Sequence, residues 1–364
     1  MSEASVHAVL GIEWHAPVLA PVKHAVFEAE ARRHTGGDVP RVVGYIAPCA
    51  WLARTFLASL DLRFSYADPA TLPLIGLVAS HENACRYCYG TRRAMLRIQG
   101  LKELEIDRLE HDLELAELSD ATRAVLEFVR LLARSSPRPA RAEAEALQAR
   151  GLRPEAVAEV AGECANWCLG NRVATFLAVP PEAELEALPE TFVGRLLRPL
   201  LARKMRKNRT LVAPPPALEV HALPYAAVLA PLAATHAGRM FRDALAGAFA
   251  SDILPRRAKA LVFAVVARSL GCGLCEGESR RVLGAEGLAP EAIDQALAHL
   301  ASPACDALEA QLLGYARDTV RFRPAEIQVR TRALADAIGP ARTLETVGVA
   351  ALANAVVRLA MLST

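Results

Sequence analysis

The sequence predicts an all-α protein. Alanine makes up about a fifth of its 364 residues, and leucine, arginine and glutamate, which also favour helices, are frequent. Aromatic residues account for only 5% of the chain, and strand-like alternating stretches are scarce. A hydrophobic fraction of 53% with 23% charged residues excludes a disordered chain. At this length the chain has room for about two domains.

Charge and hydropathy narrow the range of partners. The net charge is +2, without the strong basic excess that is typical of a nucleic-acid-binding protein. The first residues lack the basic and apolar regions of a signal peptide, and the longest apolar segments, 72–79 and 260–267, are too short to span a membrane. We therefore expect a cytoplasmic protein with no nucleic-acid partner and no membrane span.

The eight cysteines fall into two groups. Four of them form two C-x-x-C motifs, Cys85–Cys88 and Cys272–Cys275, which lie 187 residues apart. Close cysteine pairs in a cytoplasmic protein are more often redox or metal residues than structural disulfides. The others lie in apolar helical patterns, where cysteine behaves as a small hydrophobic side chain, and we expect them in the core: Cys49, Cys164, Cys168 and Cys305.

Landmarks around the two motifs repeat in the same order. The apolar segments 74–80 and 261–267 precede the motifs, and Arg172 and Arg358 follow them at a separation of 186 residues. Helical patterns occupy corresponding places, at 102–113 and 121–133 after the first motif and at 289–300 and 307–319 after the second. This constant displacement predicts two tandem helical repeats related by pseudo-two-fold symmetry.

Proline-rich stretches mark the boundaries between these units. The predicted organisation is an N-terminal extension, a first helical domain, a Pro-bounded basic linker and a second, more divergent helical domain, at residues 1–37, 38–181, 182–218 and 219–364. Within the linker, residues 195–209 form a basic amphipathic run. Such a run is typical of a solvated helix that packs its leucines on a repeat, and the alternative is a contact with an acidic partner or a membrane surface.

Each C-x-x-C motif is predicted to open a helix. Asn83 is a candidate N-cap for a helix over 84–98, with Gly100 after its end. Cys85 would then lie in the first turn, where free N–H groups and the helix dipole stabilise a thiolate. In the second copy Gly271 precedes Cys272, and Gly284 is predicted to end the helix.

Other chemistries find less support. Structural zinc pairs usually lie about 15–20 residues apart, so a separation of 187 residues argues against one shared metal site. The sequence has no glycine-rich phosphate loop and no histidine motif for a metal. We therefore predict no cofactor and no metal.

The segment LVASHENACRYC, residues 77–88, resembles the core motif of the alkyl hydroperoxidase D-like superfamily, also called the carboxymuconolactone decarboxylase family. The family pattern is an apolar helix, a Ser-x-x-Asn-x-Cys-x-Tyr-Cys junction and a following helix. A later helix carries Asn-Arg, which Asn171 and Arg172 match. The resemblance covers residues 40–180 well and 220–362 more weakly, as expected for a tandem-duplicated member.

The resemblance implies an all-α fold, a homo-oligomer and thiol-dependent reduction of peroxides. It also implies that Cys88 and Cys275 attack the peroxide, while Cys85 and Cys272 resolve the product and exchange with a reductant. The family's histidine, four residues after the second cysteine, is replaced here by Arg92.

Further departures affect both copies. Ser279 replaces that histidine in the second copy, and the family glutamate, twelve residues before the first cysteine, is Pro73 in one copy and Ala260 in the other. The candidate substitutes in the first copy, as proton relay or thiolate stabiliser, are His81, Glu82 and Arg92. In the second copy Glu276 and Glu278 would raise a thiol pKa, so we expect it to be degenerate.

These observations predict a thiol-dependent oxidoreductase that reduces hydroperoxides or exchanges disulfides. Its partners would be a peroxide or small organic substrate and a thiol reductant or redox protein. Two alternatives remain open: a pocket enzyme of the carboxymuconolactone decarboxylase type, and a non-catalytic scaffold that senses redox state.

Overall fold

The computed structural model describes residues 9–134, 140–207, 210–218 and 223–363. Every regular element within these ranges is helical, as the sequence predicts. The predicted boundaries at residues 38, 182 and 219 stay predictions. Parts of the predicted units lie outside the described residues, namely 1–8 of the extension, 135–139 of the first domain, 208–209 of the linker, and 219–222 and 364 of the second domain.

Two short helices, α1 (Ala25–Thr35) and α2 (Val42–Ile46), precede the first repeat. The helices of the first repeat are α3 (Ala50–Leu60), α4 (Leu72–Glu82), α5 (Arg86–Gln99), α6 (Glu103–His111), α7 (Asp120–Ala133), α8 (Arg141–Ala149) and α9 (Pro154–Phe176). The connecting segment contains α10 (Ala183–Ala187), a 3₁₀ turn at Leu188–Glu190 and α11 (Phe192–Lys207).

The second repeat begins after a 3₁₀ helix at Ala226–Leu232. It contains α12 (His236–Ala250), α13 (Arg256–Ser269), α14 (Gly273–Ala285), α15 (Pro290–His299), α16 (Ala307–Asp318), α17 (Pro324–Ile338) and α18 (Pro340–Ala360). Helices α12 to α18 thus follow the order of α3 to α9. The fold is a tandem pair of seven-helix units.

Equivalent helices of the two repeats pack against each other. Helix α9 lies on α18, and α3 lies on α12. Contacts between equivalent elements are what a two-fold axis produces, so the two repeats form an intramolecular pseudo-dimer. Helices α9 and α18 are buried along most of their length because each is covered by its own repeat and by the other.

A buried polar cluster also links the repeats. Glu345 of α18 is fully buried and accepts hydrogen bonds from the Cys49 thiol at 3.2 Å and the Trp51 indole N–H at 2.8 Å. The ammonium of Lys259, on α13, lies 3.1 Å from the same carboxylate. Because a buried charge needs a partner, this cluster fixes how α3 and α13 meet α18.

Helix α18 is the one described helix that is long and apolar enough to cross a membrane. All of its most apolar 18-residue window is buried inside the protein. Core helices of globular proteins have the same composition.

Candidate active site

The first cysteine pair lies at a sharp turn between α4 and α5. After Asn83, which ends α4, Ala84 takes a left-handed conformation with φ of 49°. Cys85 is then extended, and α5 begins at Arg86. The Cys85 sulfur accepts a hydrogen bond from the amide of Cys88 at 3.4 Å, so Cys85 is itself the N-cap.

The prediction that Asn83 caps α5 is therefore wrong. The left-handed residue between the two helices moves the cap two positions along the chain, and Asn83 instead donates its side-chain amide to the Ala79 carbonyl at 2.7 Å. The second pair repeats this turn, with Gly271 at φ of 72° and the Cys272 sulfur 3.4 Å from the amide of Cys275. Helix α14 continues to Ala285, so Gly284 does not end it as predicted.

The two thiols of the first pair have opposite pKa shifts. Burial raises the pKa of Cys85, but hydrogen bonds from the Cys88 thiol, the Cys88 amide and the Tyr87 amide outweigh it and bring the pKa below its ordinary value. The pKa of Cys88 is raised well above its ordinary value by its hydrogen bond to Cys85 and by burial. The first proton that the pair loses therefore leaves the negative charge at Cys85, not at Cys88.

Polar residues of the family-like motif hold α9 against this turn. The Ser80 hydroxyl donates to the Asn171 side-chain oxygen at 3.1 Å, and the Asn171 amide donates to the Ala79 carbonyl at 3.2 Å. The Arg172 guanidinium donates to the Asn83 side-chain oxygen at 2.8 Å. All four side chains are buried, so these hydrogen bonds set the position of the cysteine pair relative to α9.

Arg92 lies one turn after Cys88 and faces α9. Its guanidinium stacks over the Trp167 ring at 4.3 Å. Its charge lowers the pKa of Cys88, although the hydrogen bond to Cys85, burial and the Cys85 charge raise that pKa by more. Gly76 of α4 makes room for this stack, because a Cβ there would lie 2.7 Å from the Trp167 ring. This effect on the Cys88 pKa supports the prediction that Arg92 stabilises the Cys88 thiolate, which stays a prediction.

Glu163 of α9 supplies a carboxylate beside Arg92. It accepts a hydrogen bond from the Trp167 indole N–H at 2.7 Å, and burial raises its pKa. Glu163 is not among the site residues predicted from the sequence, although an acidic residue within the apolar stretch of α9, four residues after Glu159, is a visible signal.

Arg92 and Glu163 both line a cavity of about 180 Å³. Pro73, at the position of the missing family glutamate, lies in the same wall. The remaining lining residues come from the end of α3 and the loop after it, from the start of α4 and from the segment after α11: Ser59, Leu60, Leu62, Arg63, Phe64, Leu72 and Thr210.

The other two predicted relay residues contact different groups. His81 lies against Tyr89 and His111, with ring centroids at 6.0 and 6.4 Å, and burial with nearby Arg130 lowers its pKa to about 4. Glu82 forms ion pairs with Arg130 at 3.4 Å and Arg134 at 3.8 Å. These contacts direct both side chains towards α6 and α7, and their catalytic role stays a prediction.

In the second repeat an aromatic side chain fills the space beside the cysteine pair. Tyr225 is fully buried and stacks on Phe263, with ring centroids at 4.2 Å. Its hydroxyl lies 2.8 Å from that of Ser279, which donates to the Cys275 carbonyl at 2.8 Å. The hydrogen bond to Cys272, burial and the Cys272 and Glu278 charges raise the pKa of Cys275.

The predicted core cysteines are buried, except that Cys305 is partly exposed. Cys168 has an unusual environment between the repeats. The Cys164 thiol, Arg358, Arg172 and the Asn83 amide stabilise its thiolate against burial and lower its pKa to about 5. No described carboxylate pairs with either of these two buried arginines. Within the described ranges no three His, Cys, Asp or Glu side chains could hold a metal ion.

Comparisons with known proteins give one structural match. No protein-family model matches the chain, and no curated protein matches it. A crystal structure described as an alkylhydroperoxidase AhpD core, an uncharacterized peroxidase-related protein from Ralstonia eutropha JMP134, is similar to this chain with 25% identity and a TM-score of 0.42. The match covers 49% of this chain and 99% of the other.

Proposed function

We propose that the first repeat is a thiol-dependent oxidoreductase that reduces a small hydroperoxide at Cys85 and Cys88. One observation carries this proposal: the charge of Arg92 acts on Cys88 of a free cysteine pair, and Arg92 also lines a small cavity together with Glu163. The cysteines do not line this cavity, so Arg92 is the residue that connects it to the pair. A cavity of about 180 Å³ suits a small substrate better than a protein disulfide.

The reaction uses a proton transfer within the pair. The Cys88 thiol donates its hydrogen bond to Cys85, where the negative charge is favoured, so Cys85 acts as the base that takes this proton while Cys88 reacts. Arg92 stabilises the charge that develops on the Cys88 sulfur. The Cys88 sulfur attacks the distal peroxide oxygen. A sulfur–oxygen bond forms, the oxygen–oxygen bond breaks, and the alcohol leaves with a proton. Glu163 is a suitable donor of that proton because its raised pKa keeps the carboxyl protonated to higher pH.

Cys85 completes the reaction. Its sulfur attacks the sulfenic acid on Cys88, a disulfide forms, and the oxygen leaves as water. Two thiols are oxidised while the hydroperoxide is reduced to an alcohol and water. A dithiol reductant restores the pair and becomes a disulfide in turn. The N-cap position of Cys85 places its sulfur within reach, since it already contacts the amide of Cys88.

Stopped-flow consumption of hydrogen peroxide with dithiothreitol as reductant tests the proposal. We expect Cys88→Ser to lose at least about 100-fold in rate, because the nucleophile is absent. Cys275→Ser is the matched control and should keep the wild-type rate. A count of free thiols after peroxide treatment should show the loss of two thiols in the wild type. Unchanged turnover in Cys88→Ser would falsify the proposal.

The same measurements separate the alternatives. A pocket enzyme that does not use its cysteines would consume no peroxide and keep all of its thiols. A redox sensor would lose two thiols in a single event, without turnover in the presence of dithiothreitol.

A further inference from the structure

Helix α11, in the connecting segment, presents large apolar side chains to solvent. Phe192 is 80% exposed, Leu196 68% and Leu200 66%. These residues are spaced at i, i+4 and i+8, so they form one stripe along the helix, and Val193 and Leu197 extend it. Five adjacent exposed apolar side chains form a patch that usually marks an interaction surface.

The opposite side of α11 is fixed to the first repeat. Gly194 and Ala202 are buried, and α11 packs against α5. Ion pairs hold the preceding turn, since Glu190 contacts Arg97 of α5 and Arg195. Burial of the apolar stripe against the first repeat would require α11 to turn over and break these contacts. The stripe therefore needs an external partner.

The charge of α11 indicates the kind of partner. The helix has six Lys and Arg residues and no Asp or Glu. Four of the six follow one another closely at residues 203–207, beyond the apolar stripe. A short apolar face next to a cationic cluster matches a helix that lies in the headgroup region of an anionic membrane. Pairing with a second copy would bring two such cationic helices together.

We propose that α11 binds the surface of an anionic phospholipid bilayer, with Phe192, Leu196 and Leu200 inserted at the level of the acyl-chain boundary. The segment just after α11 reaches the candidate active site, because Thr210 lines its cavity and the Val212 amide donates to the Phe64 carbonyl at 3.0 Å. Bound in this way, the protein would hold its cavity near the bilayer.

Vesicle flotation with the full-length reduced protein tests this proposal. Vesicles of phosphatidylglycerol and phosphatidylcholine in equal amounts should carry the protein, and vesicles of phosphatidylcholine alone should not. We expect the double variant L196E/L200E to reduce binding at least about tenfold, because each carboxylate must enter the interface. The matched control is Val329→Glu, an exposed apolar residue (55%) on α17, which should bind like the wild type.

Two further measurements make the outcome decisive. Binding should weaken as salt is raised from 50 to 500 mM, because salt screens the attraction between anionic lipid and the Lys and Arg side chains of α11. Absence of flotation with anionic vesicles, or equal flotation of L196E/L200E, would refute membrane binding. Light scattering without vesicles tests for self-association through the same apolar stripe. If the wild type formed a larger oligomer than L196E/L200E, the stripe would be an interface between copies of the chain, and the proposal would be overturned. Cys88→Ser should float like the wild type, so the result is independent of the thiol chemistry.

Discussion

The two repeats share one backbone turn but differ in several side chains beside it. In both, the first cysteine is an extended N-cap whose sulfur lies 3.4 Å from the amide of the second. The first repeat surrounds its pair with a glycine, an arginine, a glutamate and a tryptophan. The equivalent positions of the second repeat hold residues without charge. The pairs are Gly76 and Phe263, Arg92 and Ser279, Glu163 and Val349, and Trp167 and Ala353.

This difference separates what the backbone provides from what the side chains provide. The turn and its second thiol are sufficient to lower the pKa of a first cysteine, since hydrogen bonds from the Cys275 thiol and amide bring the pKa of Cys272 to about 7 even in the second repeat. Among the described residues, Arg92 and Glu163 lie near the first pair, and the equivalent positions of the second repeat hold Ser279 and Val349. In the second, Phe263 occupies the position of Gly76 and stacks with Tyr225 in a closed aromatic cluster. Duplication has kept the turn in both copies and the proposed chemistry in one.

Arg92→Ser gives the first repeat the residue of the second, and it should have the largest effect. We expect the peroxide rate to fall about 100-fold, the loss typical when one preorganised electrostatic contact is removed. Arg97→Ser is the matched control, because Arg97 lies on the same helix but pairs with Glu103 and Glu190. A rate within threefold of the wild type for Arg92→Ser would show that the cation does not distinguish the repeats.

The fold was predictable because its signals are periodic and repeated. Alanine-rich amphipathic segments indicated helices, and the constant displacement of 186–187 residues indicated two units. The positions of Cys85 and Cys88 at the start of a helix followed from the motif. The exact cap did not, because a left-handed Ala84 is uncommon for a residue with a Cβ and nothing local in the sequence requires it.

The site was predictable only where its residues are local. Arg92 lies four residues after Cys88, so helical spacing was sufficient to identify it. Glu163 reaches the site from α9, some seventy residues further along the chain. Tyr225 likewise enters the second site from outside the cysteine motif. Such contacts depend on how helices pack, which periodicity does not specify.

Cys168→Ser tests whether a thiolate neutralises the arginines between the repeats. The pKa of Cys168 is lowered to about 5, so its ionised form stabilises the fold fully above the ordinary thiol pKa, and this contribution is lost as pH falls through 5. We expect a loss of about 2 kcal/mol in the free energy of unfolding at pH 8.5, as for hydrogen bonds to a charged group.

Chemical denaturation at several pH values measures this effect. The gap between wild type and Cys168→Ser should narrow from pH 8.5 to pH 5. Cys305→Ser is the control, because Cys305 is partly exposed and its pKa is raised, not lowered. A gap that does not depend on pH would mean that Cys168 acts as a neutral core residue.

Glu163→Gln removes the proposed proton donor while keeping its shape. Burial raises the pKa of Glu163, so the wild-type rate should fall as pH rises through that pKa. The rate of the variant should not show this decrease. We expect the variant to be about tenfold slower at pH values below that pKa, since water replaces part of the 10²–10⁴-fold that a positioned acid contributes. Glu155→Gln, near the exposed start of α9, should keep the wild-type profile. An unaltered pH profile in Glu163→Gln would exclude the donor role.

Tyr225→Phe should have the smallest effect and bears most directly on the second repeat. Its hydroxyl is fully buried against Ser279, so its removal should cost about 1 kcal/mol of stability, the net value of one hydrogen bond. Tyr315→Phe is a matched control, because that buried hydroxyl lies 2.9 Å from the Thr331 hydroxyl and should cost about the same. Peroxide turnover should not change in either variant. If Tyr225→Phe alone slowed turnover more than threefold, its phenol would be the second repeat's proton donor in place of the missing histidine, and both repeats would be active.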